Sequence, residues 1–121
     1  MKNYTSDSVL NTKSYAFAIR IVKLSQLIQK ERSEFVLSKQ ILRSGTSIGA
    51  LIRESEYGQS RADFIHKLSI ALKEAHETDY WISLLRDTGY LEEKLSISLL
   101  TDCSELKALL ISSIKTLKNN S

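Results

Sequence analysis

A chain that contains no proline, and whose only glycines are Gly45, Gly49, Gly58 and Gly89, has almost nothing with which to interrupt a helix. Proline removes a backbone donor and clashes with the preceding turn, and glycine marks tight turns and helix ends. Their scarcity favours helices, and helical periodicity runs through the chain after a loose tail of about ten residues. The pattern predicts helices over about 12–32, 34–57, 61–87 and 92–118. Asn11 is a candidate N-cap for the first and Ser33 for the second, with Gly58 as the stop after it. Ser60-Arg61-Ala62-Asp63 has the form of a capping box, with Asp63 in place of the commoner Glu, and Gly89 ends the third helix. Short connections make successive helices antiparallel. The expected fold is all-α, an antiparallel up-and-down four-helix bundle, with residues 1–121 forming one domain.

Each helix of such a bundle needs one apolar stripe. The fourth supplies Leu95, Leu99, Leu106, Leu109, Leu110, Ile114 and Leu117, and Cys103 at the edge of that stripe reads as a small core residue. The first helix has two stripes. Phe17, Ile21, Leu24 and Ile28 form one row, while Tyr15, Ile19 and Val22 form another on nearly the opposite side. In the third helix Phe64, Leu68, Ala71, Ala75, Thr78, Ile82 and Leu85 make the core row, and Ile70, Trp81 and Leu84 lie on a different flank. The surplus has two readings: self-association, or broad stripes buried within one bundle.

The segment ILRSGTSIGALIRES, residues 41–55, carries small residues in a helix interior. A glycine there costs about 1 kcal/mol relative to alanine. Leu37, Ile41, Gly45, Ile48 and Ile52 point one way, so Gly45 belongs to the core row and admits a neighbouring backbone. Gly49 and Thr46 lie elsewhere and leave a shallow surface on which another helix can dock. Arg43, Ser47, Ala50 and Glu54 form a third row, read either as a solvated face or as an interface with polar contacts.

Lys13-Ser14, Phe17-Ala18, Gln40-Ile41-Leu42-Arg43-Ser44, Thr46-Ser47-Ile48, Glu54, Asp63-Phe64, Leu68-Ser69-Ile70-Ala71-Leu72, Glu77 and Gly89-Tyr90-Leu91 together resemble the bacterial four-helix bundle family of ribosomal RNA intervening-sequence proteins. The accessory variability protein of diversity-generating retroelements looks like a relative. The resemblance covers nearly the whole chain from about residue 8. It implies a homopentamer, which would account for the surplus faces. Family members commonly have Asn where Leu51 stands and Gly-Ser where Lys73-Glu74 stands, so nothing tied to those positions is carried over. Arg43, Ser47, Glu54 and Glu77 match, and the first three share the non-core row. With Gly49 and the apolar flanks they make the expected oligomer interface: Tyr15, Ile19, Val22, Arg43, Ser47, Gly49, Glu54, Ile70, Glu77, Trp81 and Leu84.

Signatures of catalysis and metal binding are missing from the sequence. His66 follows Asp63 by three and His76 adjoins Glu77, but a di-iron bundle needs a Glu-x-x-His motif on each of two helices. There is no phosphate-cradling glycine loop, nucleophile elbow or Cys-x-x-Cys. The expectation is a non-enzyme with no cofactor and no metal. A lone Cys103, no signal-peptide layout and no apolar run of membrane-spanning length point to the cytoplasm and to no membrane role.

Net charge is +3 with a pI near 9.0, which permits an acidic partner. Lys13, Arg20, Lys23 and Lys30 share an acid-free sector of the first helix, and Lys39 and Arg43 add a basic pair one turn apart. Cyclic symmetry would turn this stripe into a ring able to contact phosphates without reading sequence. The expected function is therefore a homo-oligomer presenting basic surface to RNA or DNA, or to a nucleic-acid enzyme such as a reverse transcriptase, or to a ribosomal component. The alternative is an adaptor oligomer that binds protein partners only.

Overall fold

A computed structural model of the chain describes residues 4–120. Four helices follow one another: α1 (Tyr4–Arg32), α2 (Leu37–Ser55), α3 (Arg61–Asp87) and α4 (Glu93–Asn119). Consecutive helices pack side by side, α4 returns to touch α1, and the diagonal pairs do not meet. Contacts across each seam run in opposite directions along the chain. Ser25 Oγ donates to the Ser38 carbonyl at 3.1 Å, whereas Asn11, earlier in α1, reaches Glu56 beyond the far end of α2. The protein is an all-α, up-and-down four-helix bundle.

The start of α1 differs from the pattern-based reading. No glycine or proline interrupts the first dozen residues, and buried Leu10 gives this turn an apolar anchor, so α1 extends back to Tyr4 and takes in most of the expected loose tail. Residues 1–3, the rest of that tail, lie outside the described residues. Asn11 is consequently an interior residue, not an N-cap, and its amide donates to the Glu56 carboxylate.

The start of α2 also shifts. Ser33 sits at φ +52°, in the left-handed region, and caps nothing. The N-cap position falls on Val36, and Glu34, expected inside the helix, serves the first turn from outside it: its carboxylate accepts from the backbone N–H groups of Val36, Leu37 and Ser38 at 3.1, 2.9 and 2.8 Å. A carboxylate can satisfy several orphan donors of a first turn where a serine hydroxyl satisfies one. Partial burial pushes the Glu34 carboxyl upward, but the bonds from Leu37, Ser38 and Val36 outweigh it and hold the group below the usual carboxylate range. At its other end α2 stops at Ser55, before the expected Tyr57, and the Gly58 N–H closes onto the Ser55 carbonyl at 3.2 Å.

Two caps govern α3. The Ser60 hydroxyl accepts the Asp63 N–H at 3.1 Å, while the Asp63 carboxylate accepts the N–H of Gln59, so the box reaches one residue further back than usual. At the C-terminus Gly89 takes φ +84°, with Tyr90 N–H on Leu85 O at 2.9 Å and Gly89 N–H on Arg86 O at 3.1 Å. That is a Schellman closure, which needs a left-handed residue where glycine stands.

The core contains Phe17, Ile21, Leu24 and Ile28 of α1, Ile41, Ile48 and Ile52 of α2, the whole predicted α3 row, and Leu99, Leu106 and Leu110 of α4. Cys103 is fully buried, its thiol donating to the Ala75 carbonyl at 3.2 Å, and burial pushes its pKa up to about 12. It is a small core residue with no thiolate at neutral pH.

The small residues of α2 are explained by its two close neighbours. A Cβ added at Gly45 would lie 2.8 Å from both γ carbons of Ile21, so α1 passes too near for any side chain. On the other flank the Ser44 and Thr78 hydroxyls lie 3.0 Å apart between α2 and α3. The α1/α4 seam is the sparsest of the four and is bridged by long side chains: Lys13 to Glu105, Arg20 to Asp102 at 2.6 Å and to Ser98, and Arg32 to the Gly89 carbonyl.

Three substitutions test these contacts. Gly45→Ala gains about 1 kcal/mol of helix propensity but overpacks Ile21, so chemical denaturation should show a net loss of about 1–2 kcal/mol. Gly49→Ala, whose Cβ meets Ser14 at an ordinary 3.4 Å, should instead hold or raise stability. Glu34→Gln should cost about 1 kcal/mol at neutral pH. Because the folded-state carboxyl is depressed, this contribution is present above the ordinary carboxylate range and fades as pH falls through the folded value. Wild type and variant should therefore converge in acid.

Candidate functional site

The second apolar row of α1 is on the surface: Tyr15, Ile19 and Val22 are 58%, 42% and 36% exposed. Beside it, between α1 and α2, runs a groove of about 490 Å³. Ala18, Thr46, Gly49 and Ala50 line it with small side chains, and Tyr15, Arg53, Glu54 and Tyr57 border it. Gly49 itself lies against Ser14 of the same chain, so the small residues first bring α1 and α2 together and then leave a channel above their junction. The Arg53 guanidinium stands 5.6 Å from the Tyr15 ring centre, a cation–π contact at the rim. At the Asn11 end of the groove the buried Asn11 Oδ1 has no hydrogen-bond partner among the described residues. An apolar channel with this lining suits an apolar ridge and offers no acid, base and nucleophile in catalytic array.

A second group of expected interface residues comes together at the α2/α3 edge. Arg43 of α2 pairs with Glu74 at 3.2 Å and with Glu77 of α3, and the Trp81 indole N–H donates to Glu77 at 3.0 Å. The Trp81 hydrogen bond, then Arg43, holds the Glu77 carboxyl below its usual range against partial burial, and the Glu77 contact raises Arg43. Ser47 donates to the Arg43 carbonyl at 2.6 Å, and Glu54 pairs with Lys67 at 3.2 Å. Ile70, Trp81 and Leu84 are half-buried along α3. Arg43, Ser47, Glu54, Glu77 and Trp81 have polar partners within the chain, whereas Tyr15, Ile19 and Val22 stand exposed.

The cations divide in the same way. Lys13 pairs with Glu105, Arg20 with Asp102, and Arg43 with two carboxylates, so half of the expected basic set is offset locally. Lys23, Lys30 and Lys39 are exposed and form no salt bridge among the described residues. Lys30 and Lys39 flank the α1–α2 connection, and Lys23 stands further back along α1. The acid-free sector of α1 holds on that helix alone; its compensating acids come from α4.

Sequence reasoning also passed over the groove residues Arg53 and Tyr57 and the outward face of α4. There Ile97, Thr101, Ser104, Ala108 and Ile111 are all exposed. Their spacing by fours and threes was the available signal. His66 and His76 are exposed, and no group of three or more His, Cys, Asp or Glu is placed to hold a metal ion among the described residues. No helix among those residues is long and apolar enough to cross a membrane.

Residues 6–112 match the family described as 23S rRNA-intervening sequence protein. The fold is similar to the 1.70 Å crystal structure of a protein with unknown function from the S23 ribosomal protein family, from Bacteroides thetaiotaomicron VPI-5482. The two are 57% identical, the match covers 91% of this chain and 98% of that chain, and the TM-score is 0.90. No curated protein matches the chain. With the match spanning most of its length, the chain belongs to the 23S rRNA-intervening sequence protein family.

Proposed function

We propose that this protein is a non-enzymatic, cytoplasmic homo-oligomer of four-helix bundles that presents basic surface to RNA. The observation that carries the self-association is the exposed row Tyr15, Ile19 and Val22 beside an apolar groove. Contiguous apolar surface of this kind marks an interaction site more often than a solvated face. A pentamer is the stoichiometry that the family resemblance implies. For RNA the support is the set of exposed lysines Lys23, Lys30 and Lys39, which form no salt bridge among the described residues, together with a family described by an intervening sequence of ribosomal RNA.

Three lysines on one copy make a weak electrostatic footprint. Repeated around a symmetric assembly they add up, because each phosphate neutralised releases counterions. A second reading, an adaptor oligomer that binds protein only, is favoured by the salt bridges that engage Lys13, Arg20 and Arg43.

Ile19→Glu should yield smaller assemblies by light scattering while circular dichroism shows the helical content retained, since an exposed substitution costs the single bundle little. Unchanged mass would remove this face from the interface. Fluorescence anisotropy with a structured RNA should show binding at about 50 mM salt that weakens at about 200 mM. Lys23→Gln with Lys30→Gln should flatten the salt dependence by about one to two logarithmic units per unit of log salt for each copy in contact. No binding at the lower salt decides for the adaptor.

A further inference from the structure

Where α1 ends, a cleft of about 600 Å³ opens between that helix and the start of α4. Its volume falls in the range of ~300–1,000 Å³ typical of ligand sites. The cause is the sparse α1/α4 seam, which long side chains bridge in place of interdigitated apolar ones. Buried Leu24, Ile28 and Leu91 line the inner part of the cleft, Leu95 is half-buried beside them, and Leu27 is 43% exposed on the α1 side.

Three charged side chains line the cleft, and they differ in what they leave for a ligand. Arg32 is engaged within the chain: its guanidinium donates to the Gly89 carbonyl at 2.8 Å and stands 4.7 Å from the Tyr90 ring centre. Glu31 and Glu92 form no salt bridge among the described residues. Glu92 holds the N-cap position of α4 but makes no side-chain cap bond, so its carboxylate is also free of the helix. Lys30 and Lys94 adjoin these acids in sequence without lining the cleft. The charge left open there is negative, over an apolar bed. Leu24, Leu27 and Glu31 follow at steps of three and four, which sets them along one side of α1 over about 10 Å, or two turns. A helix lying along that row can set aliphatic side chains against the leucines and a cation at the two carboxylates.

We propose that this cleft receives a basic amphipathic helix of a partner protein, with its aliphatic side chains in the cleft and a Lys or Arg in the following turn paired with Glu31 and Glu92. Apolar burial supplies the affinity, and the two carboxylates select the partner and fix its direction. The cleft shares no lining residue with the α1/α2 groove. It adds a protein partner to the RNA reading without depending on that reading or on self-association.

Fluorescence anisotropy with two labelled alanine-based helical peptides tests it on the full chain. Both carry leucines one turn apart, and the next turn holds lysines in one peptide and glutamates in the other. The lysine peptide should bind and the glutamate peptide should not. Glu31→Gln with Glu92→Gln should weaken the lysine peptide about fivefold, the scale of two partly exposed ion pairs. Glu31→Lys with Glu92→Lys should turn the preference to the glutamate peptide, and circular dichroism checks that each variant keeps its helical content. No binding of the lysine peptide overturns the proposal, and so does binding that both double variants leave unchanged. Two further results overturn it by giving the cleft to another occupant. One is a fall in assembly mass by light scattering when Leu27→Arg is introduced, which assigns the cleft to a second copy. The other is RNA binding that changes with the glutamine pair while peptide binding does not.

Discussion

The close passage of α1 over α2 at Gly45 determines most of what the surface can do. With no room for a side chain between that backbone and Ile21, the two helices are held at a fixed distance and rotation. The rotation that points Phe17, Ile21, Leu24 and Ile28 inward necessarily points Tyr15, Ile19 and Val22 outward. The same intimacy recurs on the far side of α2, where Ser44 meets Thr78. Small hydroxyl residues suit this position because each can bond a carbonyl of its own helix while its neighbour approaches, as Ser55 does with Ile52 and Ser44 with Ile41. Helix propensity lost in α2 is thereby exchanged for dispersion contacts on both flanks.

The fourth seam is built on a different principle. Between α1 and α4, charged side chains span the gap, and partly exposed pairs of this type contribute roughly 0–1 kcal/mol each. Their consequence for function outweighs their consequence for stability. By placing Asp102 and Glu105 beside Arg20 and Lys13, the fold offsets the charge of the N-terminal part of α1. An acid-free stripe on one helix is therefore a poor guide to the potential of the folded surface, which depends on what each neighbour contributes.

The seven-residue core row of α3, its Ser60 cap and its Gly89 stop were legible because period and local capping chemistry agree there. Where local chemistry competes with burial, the pattern misleads. Asn11 reads as an N-cap on propensity, but Leu10 is buried in the turn before it and no breaker intervenes, so the helix continues. Ser33 reads as the cap of α2 because serine commonly is one, yet a single hydroxyl cannot serve three donors as the Glu34 carboxylate does. The apolar row of the candidate site was readable from α1 alone. Its groove was not, because a groove belongs to two helices, and neither were the partners of Arg43, which depend on the register between α2 and α3.

On the proposed function, the exposed apolar row and the exposed lysines would serve two contacts, assembly and RNA, and the two would reinforce each other. Apolar burial is insensitive to the salt that screens lysine–phosphate attraction, so the apolar contact sets how many copies present their lysines together. A bound polyanion in turn adds linkage free energy to whichever arrangement aligns the most cations along it. Affinity then rises with the number of copies without any new contact on a single chain. On the proposed function, self-association would raise the phosphate affinity of a bundle of net charge +3, and the surface it would bury is the one that core packing forces outward.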